Sequence, residues 1–205
     1  MPTTTYEPEL DTTRPFRIRW TRDDCARFER DGLLTPGKYE LIEGDILRKM
    51  PQKRPHAIAL SLTCICLRQI FGDLYVEGPV AIDVSPEDNP TSTPEPDLIV
   101  LNRPLTEFGE SNPRPDDIRL LVEISDATRY FDRGTKASLY ARAEIVEYWS
   151  LDLVQRTLHV HREPREGKFQ SVTVHNEDES IAPLSAQDQA ILVSTLLPPS
   201  NEDLE

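Results

Sequence analysis

The sequence predicts a mixed α/β (α+β) fold in which helices flank a central mixed β-sheet. Segments with helical apolar spacing alternate with apolar segments of strand length, and no internal repeat is visible. The chain has 205 residues, of which 38% are hydrophobic and 29% are charged, so one domain can bury a sizeable core. We expect this domain over residues 16–175, between a disordered N-terminal tail (1–15) and an acidic C-terminal extension (176–205) that is partly packed or disordered.

In the first third of the chain, caps and turns predict the elements. Thr21 and Asp24 form a capping-box pattern and Gly32 fits the end of a helix, which predicts a short helix between them. Residues 38–50 have two alternating arms around a glycine and predict a β-hairpin. The apolar spacing over residues 55–71 predicts an amphipathic helix.

The rest of the chain is mainly strand-like. Residues 74–84 predict one strand or a bulged pair of short strands, followed by a Pro-rich loop. Asp132 is a suitable N-cap for a helix that reaches about Ala143. Apolar and β-branched segments predict further strands at 97–101, 118–125, 146–152, 157–163 and 168–175.

The net charge of −13 lies mainly at the two ends of the chain, because residues 14–175 carry a net charge of only −3. Nucleic-acid binding depends on Lys and Arg displacing counterions from phosphates. A nearly neutral domain can bind a polyanion where a metal ion adds positive charge, so the composition does not exclude DNA or RNA. No signal peptide or membrane-spanning apolar segment is visible, and we expect a cytoplasmic protein without membrane contact.

Two carboxylates stand on otherwise apolar strands. Asp97 begins the strand "DLIVL", and alternation in "IRLLVEIS" puts Glu123 on the face opposite Val122. If these strands are neighbours, the two carboxylates converge and provide the oxygen ligands that a hard divalent cation prefers. Lys136 and Tyr140 share one face of the next helix and can reach the same place. The alternative is that these residues are ordinary strand-end carboxylates and a solvated lysine.

The order of these residues resembles the PD-(D/E)XK nuclease superfamily. The surrounding segments resemble the Uma-type restriction endonuclease family over about residues 20–175. The most specific of these segments is "DRGTKASLYARAEIVEYW", and the others are "YELIEGDI", "RPHAIALSL", "PEPDLIVL", "LVEISDAT" and "TLHVHR".

The resemblance implies a restriction-endonuclease-like core and a Mg²⁺-dependent (or Mn²⁺-dependent) endonuclease that hydrolyses phosphodiester bonds of DNA. It assigns the catalytic positions to Asp97, Glu123 and Lys136. Asp97, Glu123 and the main-chain carbonyl of Ile124 would be the metal ligands. Lys136 would orient the attacking water or stabilise developing charge, and it could act as a general base only if its pKa were lowered. Tyr140 is a possible supporting residue on the same helix face.

Further supporting positions carry alternatives. Glu40 or Glu43 adds a carboxylate from the hairpin, or both are exposed hairpin residues. His56 contacts phosphate, or it is an ordinary polar residue of a first helical turn. Ser125 occupies the position at which the superfamily has its lysine, and the neighbouring Asp126 and Ala127 replace the usual Pro and Ser of the family.

Other functions remain open at this point. The altered loop after Glu123 is also compatible with a catalytically inactive nuclease fold that serves as a nucleic-acid-binding or interaction module. A phosphoesterase acting on small phosphates would use the same residues. A homodimer would suit an enzyme that cuts both strands of DNA.

Overall fold

The computed structural model describes residues 18–126 and 131–199. Its helices are α1 (Arg22–Arg30), α2 (Arg54–Phe71) and α3 (Ala137–Arg142). Its strands are β1 (Tyr39–Ile42), β2 (Asp45–Arg48), β3 (Val76–Glu77), β4 (Leu98–Leu101), β5 (Ile118–Ser125), β6 (Glu147–Asp152), β7 (Thr157–Arg165), β8 (Lys168–Asn176), β9 (Ser180–Ile181) and β10 (Ile191–Leu192).

Six of these strands form one central sheet in the order β3-β4-β5-β6-β7-β8. Strands β5 and β6 run parallel, whereas the other neighbours are antiparallel. A parallel pair needs a crossover connection, and here the crossover contains α3. The predicted central mixed sheet with flanking helices is therefore confirmed.

Each face of the sheet packs its own apolar cluster. On the first face, Val122, Ile124 and Trp149 lie under α2 together with the C-terminal segment. On the second face, Leu121 and Tyr148 pack with α3, the β1-β2 hairpin and residues 80–84. Because successive side chains of a strand point to opposite faces, Glu123 lies on the α3 side of the sheet.

The predicted capping box of α1 and the predicted hairpin are confirmed. The hydroxyl of Thr21 accepts a hydrogen bond from the Asp24 amide, and the Asp24 carboxylate accepts from the Thr21 amide, which completes the capping box. Glu43 and Gly44 form the turn between β1 and β2 with φ of 49° and 82°. This left-handed backbone at both central residues is typical of a two-residue hairpin.

The prediction of strands over residues 74–84 is largely wrong, since only Val76–Glu77 pairs as a strand. Pro79 cannot donate a ladder hydrogen bond. Gly78 passes so close to the main chain of Asp97 that an added Cβ would lie 2.1 Å from the Asp97 carbonyl oxygen. The chain therefore leaves the sheet beside Asp97, the residue that precedes β4.

The helix predicted from Asp132 to Ala143 is present, but Asp132 is not its N-cap. Phe131 already has helical dihedral angles, and Asp132–Lys136 forms a π-helical turn that leads into α3. The carboxylate of Asp132 is buried and accepts a hydrogen bond from the hydroxyl of Ser125. Its partner among the described hydrogen bonds is thus a strand residue.

The C-terminal segment contributes to the core. Ile191, Val193, Leu196 and Leu197 are buried in the cluster under α2. The expected tail at residues 1–15 and the last residues, 200–205, lie outside the described residues. In the described part of the chain, no helix is long and apolar enough to cross a membrane.

A buried ion pair fixes this C-terminal segment to the sheet. Glu147 is fully buried on β6 and accepts a hydrogen bond of 2.8 Å from the Arg162 guanidinium on β7. Its other oxygen accepts from the Leu184 amide at 2.7 Å, and Arg162 donates to the Ala182 carbonyl at 2.7 Å. The pair therefore holds both the strand and the segment that returns under α2.

We predict that Arg162→Met lowers the free energy of unfolding by about 3–5 kcal/mol, because it leaves the Glu147 carboxylate buried without its cation. Chemical denaturation monitored by circular dichroism measures this change. Arg165→Met, at an exposed position of the same strand, is the matched control and should change stability by less than about 0.5 kcal/mol. Equal losses in the two variants would contradict the prediction.

Candidate active site

The candidate site lies where β4 begins and β5 ends. Asp97 immediately precedes β4, whose first residue, Leu98, is paired with Val122 of β5. Its carboxylate oxygen Oδ2 accepts a hydrogen bond of 2.8 Å from the Ile124 amide. The two strands predicted to carry the carboxylates are therefore neighbours, and Asp97 is bound to the residue that follows Glu123.

Glu123 is held by α3 on one face of the sheet. Its side chain is 6% exposed, and its Oε1 accepts hydrogen bonds from Lys136 Nζ at 2.8 Å and from the Tyr140 hydroxyl at 2.7 Å. Lys136 and Tyr140 are one helical turn apart, so both donors reach the same oxygen. The structure brings together the carboxylate, lysine and tyrosine that the sequence predicted.

Glu40 joins this group from the hairpin. Its carboxylate lies 3.1 Å from Lys136 Nζ and also accepts a hydrogen bond of 2.8 Å from the Glu95 amide. Glu43 does not join the group, because its carboxylate pairs with Arg142 at 2.7 Å. Glu40 points toward the sheet from β1, whereas Glu43 lies in the turn. Only Glu40 of the two hairpin candidates is part of the site.

Burial and neighbouring charges shift the pKa values of the central pair. Burial is the main reason that the pKa of Glu123 is raised to about 8. The carboxylates of Asp97, Asp132 and Glu40 raise this pKa as well, and Lys136 lowers it only in part. Burial acts to lower the pKa of Lys136, but Glu123 and Glu40 outweigh it and raise that pKa above its ordinary value. Lys136 is therefore a protonated cation.

His56 approaches the same point from the first turn of α2. Its Nε2 lies 3.3 Å from Asp97 Oδ2, and its ring lies near the Ile124 main chain. Burial acts to lower the pKa of His56, but the contacts with Asp97 and Ile124 outweigh it and the pKa is raised. Nδ1 is buried without a hydrogen-bond partner among the described residues. The sequence placed His56 near the site but did not predict its contact with Asp97.

Ser125, at the position where the superfamily has a lysine, is buried and has a polar environment of its own. Its hydroxyl donates to Asp132 Oδ2 at 2.8 Å and lies 3.1 Å from the Ser150 hydroxyl. The ammonium group near Glu123 comes instead from Lys136. Asp126 pairs at 3.1 Å with the exposed Lys53, and Ala127 lies outside the described residues.

The donor atoms fit a hard divalent cation. Asp97 and Glu123 provide carboxylates, and the Ile124 carbonyl points to the Asp97 side of β5, because the N–H and C=O of one strand residue point the same way. Within residues 18–126 and 131–199, no three His, Cys, Asp or Glu side chains form a metal cluster. Mg²⁺ does not require such a cluster, since it is usually bound through one or two carboxylates and keeps several waters.

Two polar neighbours were missed at the sequence level. Asp132 was interpreted as a helix cap, although it acts on the charge of Glu123. Ser150 lies opposite Glu123 in the parallel pairing of β5 with β6. A polar residue inside the apolar segment "EYWSLD" was the available signal, because a buried hydroxyl needs a hydrogen-bond partner.

Comparisons with known proteins identify the fold and the family. The chain is similar in structure to a "putative nuclease belonging to DUF820" from Anabaena variabilis ATCC 29413, with a TM-score of 0.62 and 15% sequence identity over 86% of this chain and 96% of that chain. At this identity the similarity supports the fold. No curated protein matches the sequence. The family model Uma2, described as "Putative restriction endonuclease", matches residues 26–194, so the protein belongs to this family of restriction-endonuclease-like nucleases.

Proposed function

We propose that the protein is a metal-dependent endonuclease that hydrolyses phosphodiester bonds of DNA with Mg²⁺ or Mn²⁺. One observation carries the proposal: Asp97 is bound to the end of β5 next to Glu123, and the carboxylates of Glu123 and Glu40 share the ammonium group of Lys136. Such an excess of buried negative charge is expensive unless a cation offsets it. A divalent cation bound beside Glu123 would supply the missing charge.

The proposed ligands are the carboxylates of Asp97 and Glu123 and the carbonyl of Ile124. When bound, the metal would polarise the phosphoryl oxygens and lower the pKa of a bound water. The protein holds Asp97 in place through the Ile124 amide and Glu123 through the Tyr140 hydroxyl. These hydrogen bonds orient the carboxylates before substrate arrives, which is the form of preorganisation that an electrostatic catalyst requires.

Lys136 acts as a positive charge and a hydrogen-bond donor in this proposal. The carboxylates of Glu123 and Glu40 raise the pKa of Lys136, which favours this role over that of a general base, because a base must be unprotonated near the working pH. An ammonium group can stabilise the charge that develops on the phosphoryl oxygens. Glu40 accepts from Lys136 and thereby helps to fix the direction of the ammonium group.

A nucleic acid is favoured over a small phosphate by the charges next to the site. Lys53 and Arg54 are exposed where α2 begins, close to His56, and Lys53 lies beside Asp126. Cations outside the metal site can bind the phosphates that flank the cleaved bond. A homodimer with two such sites would allow cleavage of both DNA strands, and the oligomeric state remains a prediction.

We predict that the purified protein nicks supercoiled plasmid in the presence of Mg²⁺ or Mn²⁺, and that Asp97→Asn and Lys136→Met each lower the rate at least about 100-fold. The first variant removes a metal-ligand charge and the second removes the cation that faces the phosphoryl group. Gel electrophoresis of time points with double-stranded plasmid and single-stranded DNA measures the rates.

Matched controls for this experiment are Asp73→Asn and Lys168→Met, since both residues are exposed away from the site. Wild-type rates in the controls would attribute the loss to the site. Absence of cleavage by the folded wild type on every substrate would reject the nuclease and favour the inactive nuclease fold that binds nucleic acid.

The metal-free protein should become less stable as the pH rises toward 8. The folded pKa of Glu123 is about 8 and its ordinary value is 4.5, so its contribution to stability is fully present below pH 4.5 and is lost as the pH rises through 8. We predict that the difference in free energy of unfolding between wild type and Glu123→Gln falls across this range. Denaturation in the presence of a chelator measures the difference.

The same experiment tests the proposed cation. Mg²⁺ or Mn²⁺ binds the folded state and should therefore restore the stability of the wild type at pH 8. Glu123→Gln should respond less, because it has lost one charged ligand. A difference that does not change with pH would contradict the burial of an ionisable Glu123.

A further inference from the structure

We propose that a rim of basic side chains beside the candidate site binds the phosphate backbone of DNA independently of any metal ion. This basic rim consists of Lys38 and Lys49 at the open end of the hairpin and of Lys53 and Arg54 at the start of α2. The inference rests on the proposed function, and it adds the surface that holds the substrate strand on either side of the reacting phosphate.

The hairpin brings Lys38 and Lys49 to the site. The pairing of β1 with β2 continues to these two residues, because the Lys49 amide donates to the Lys38 carbonyl at 3.0 Å. Residues two apart on a strand share a face, so Lys38 lies on the face of Glu40, whose carboxylate is 3.1 Å from Lys136 Nζ. Lys49 pairs with Glu95, which donates its amide to Glu40. The open end of the hairpin therefore presents two cations beside Glu40.

The start of α2 brings the other two cations close to Asp97. His56 in the first turn has its Nε2 3.3 Å from Asp97 Oδ2. Lys53 precedes this turn and pairs at 3.1 Å with Asp126, whose charge also acts on His56. Arg54 is the first residue of the helix and is exposed. Both cations therefore lie next to the residues that surround the Asp97 carboxylate.

The connection between these two elements keeps the cations together. Residues 48–55 read "RKMPQKRP" and contain basic residues but no acidic one, although the whole chain has a net charge of −13. Residues 50–55 are all exposed. Because the hairpin and α2 both contact the site, the segment between them passes along its edge. An exposed basic segment in an acidic protein is the electrostatic footprint of a polyanion site.

The basic rim keeps an excess of positive charge. Lys49 and Lys53 each have one acidic partner, whereas no carboxylate pairs with Lys38 or Arg54 among the residues that the structure describes. The Lys53 side chain is 71% exposed. An exposed ion pair contributes little to stability, so a phosphate can replace its carboxylate partner.

The charges at the start of α2 oppose the stability of the helix. Lys53 is the N-cap, Arg54 follows it, and the first turn has no acidic residue. The helix dipole has its positive end at this terminus and repels both cations. These residues therefore lower helix stability in the free protein, and a bound phosphate would remove the repulsion.

The distribution of the basic rim over two elements favours a chain of phosphates over a single one. Its cations come from the hairpin and from α2, so they can bind phosphates on both sides of the one at Asp97. A small phosphate ester offers only one such group. Displacement of counterions from a phosphate backbone supplies binding free energy without a metal ion. The basic rim can therefore hold DNA before the metal acts.

Fluorescence anisotropy of a labelled DNA duplex with the full chain in EDTA tests the inference, because the chelator removes contacts through a metal ion and prevents cleavage. Wild type should bind, and the logarithm of its affinity should fall linearly with the logarithm of the salt concentration. The double variant Lys38→Gln/Arg54→Gln should bind at least about 10-fold more weakly at low salt, and its slope should be smaller by about 2.

The matched control is Lys168→Gln/Arg68→Gln, which removes the same charge at exposed positions on β8 and near the end of α2. Arg68 lies about 21 Å along the helix from Arg54. The control should change the affinity by less than about twofold, because salt screens charges at this separation. The melting temperature of Arg54→Gln should not fall below that of wild type, since the change removes a cation from the positive end of the helix dipole.

Three results would overturn the inference: equal affinities and slopes for wild type and the double variant, DNA binding only when Mg²⁺ is present, or equally tight binding of polyglutamate, which carries charge but no phosphate. Plasmid nicking by wild type in Mg²⁺ would leave the proposed function in place in each case. If the double variant binds weakly as predicted and folded wild type cleaves no substrate, the basic rim stands and the proposed hydrolysis fails.

Discussion

The organisation of the site depends on one buried contact, the ion pair between Glu123 on β5 and Lys136 before α3. Both side chains are 6% exposed and 2.8 Å apart. Two charges at this depth are tolerated only when the remaining donors and acceptors also find partners. Tyr140 donates to the carboxylate, and Glu40 accepts from the ammonium group. The pair therefore determines where α3 and the β1-β2 hairpin lie on the sheet.

A second contact connects this pair to the start of β4. The Ile124 amide lies beyond the last residue with which β4 pairs, and it donates to the carboxylate of Asp97 instead. Gly78 leaves room for this arrangement, because any side chain there would collide with the Asp97 main chain. At the end of the β4-β5 pairing, the Asp97 carboxylate therefore lies beside the Ile124 main chain and His56. Without the close pairing of β4 with β5, these groups would not share one position.

The lysine beside Glu123 comes from the helix rather than from the strand position at which the superfamily has it. Position 125, two residues after Glu123, is occupied by a buried serine that hydrogen-bonds to Asp132. Lys136 reaches Glu123 from the π-helical turn that precedes α3. An additional residue per turn changes the direction of the following side chains, and such turns are frequent at functional sites. The Lys136 ammonium group reaches the Glu123 carboxylate although Lys136 lies 13 residues after Glu123, whereas the lysine of the superfamily lies two residues after its glutamate.

Apolar periodicity and cap patterns are local signals, so they predicted most element types and the sheet with its flanking helices, and the family resemblance pointed to the three charged residues of the candidate site. The local signals overestimated the strand at residues 74–84 and indicated Asp132 as a cap, since both depend on what the rest of the chain places beside them. Only the tertiary structure distinguished Glu40 from Glu43 and brought His56 to Asp97. Lys136 and Glu40 are 96 residues apart in the chain. No local pattern encodes such a contact, because it arises only when the hairpin and α3 pack on the same face of the sheet.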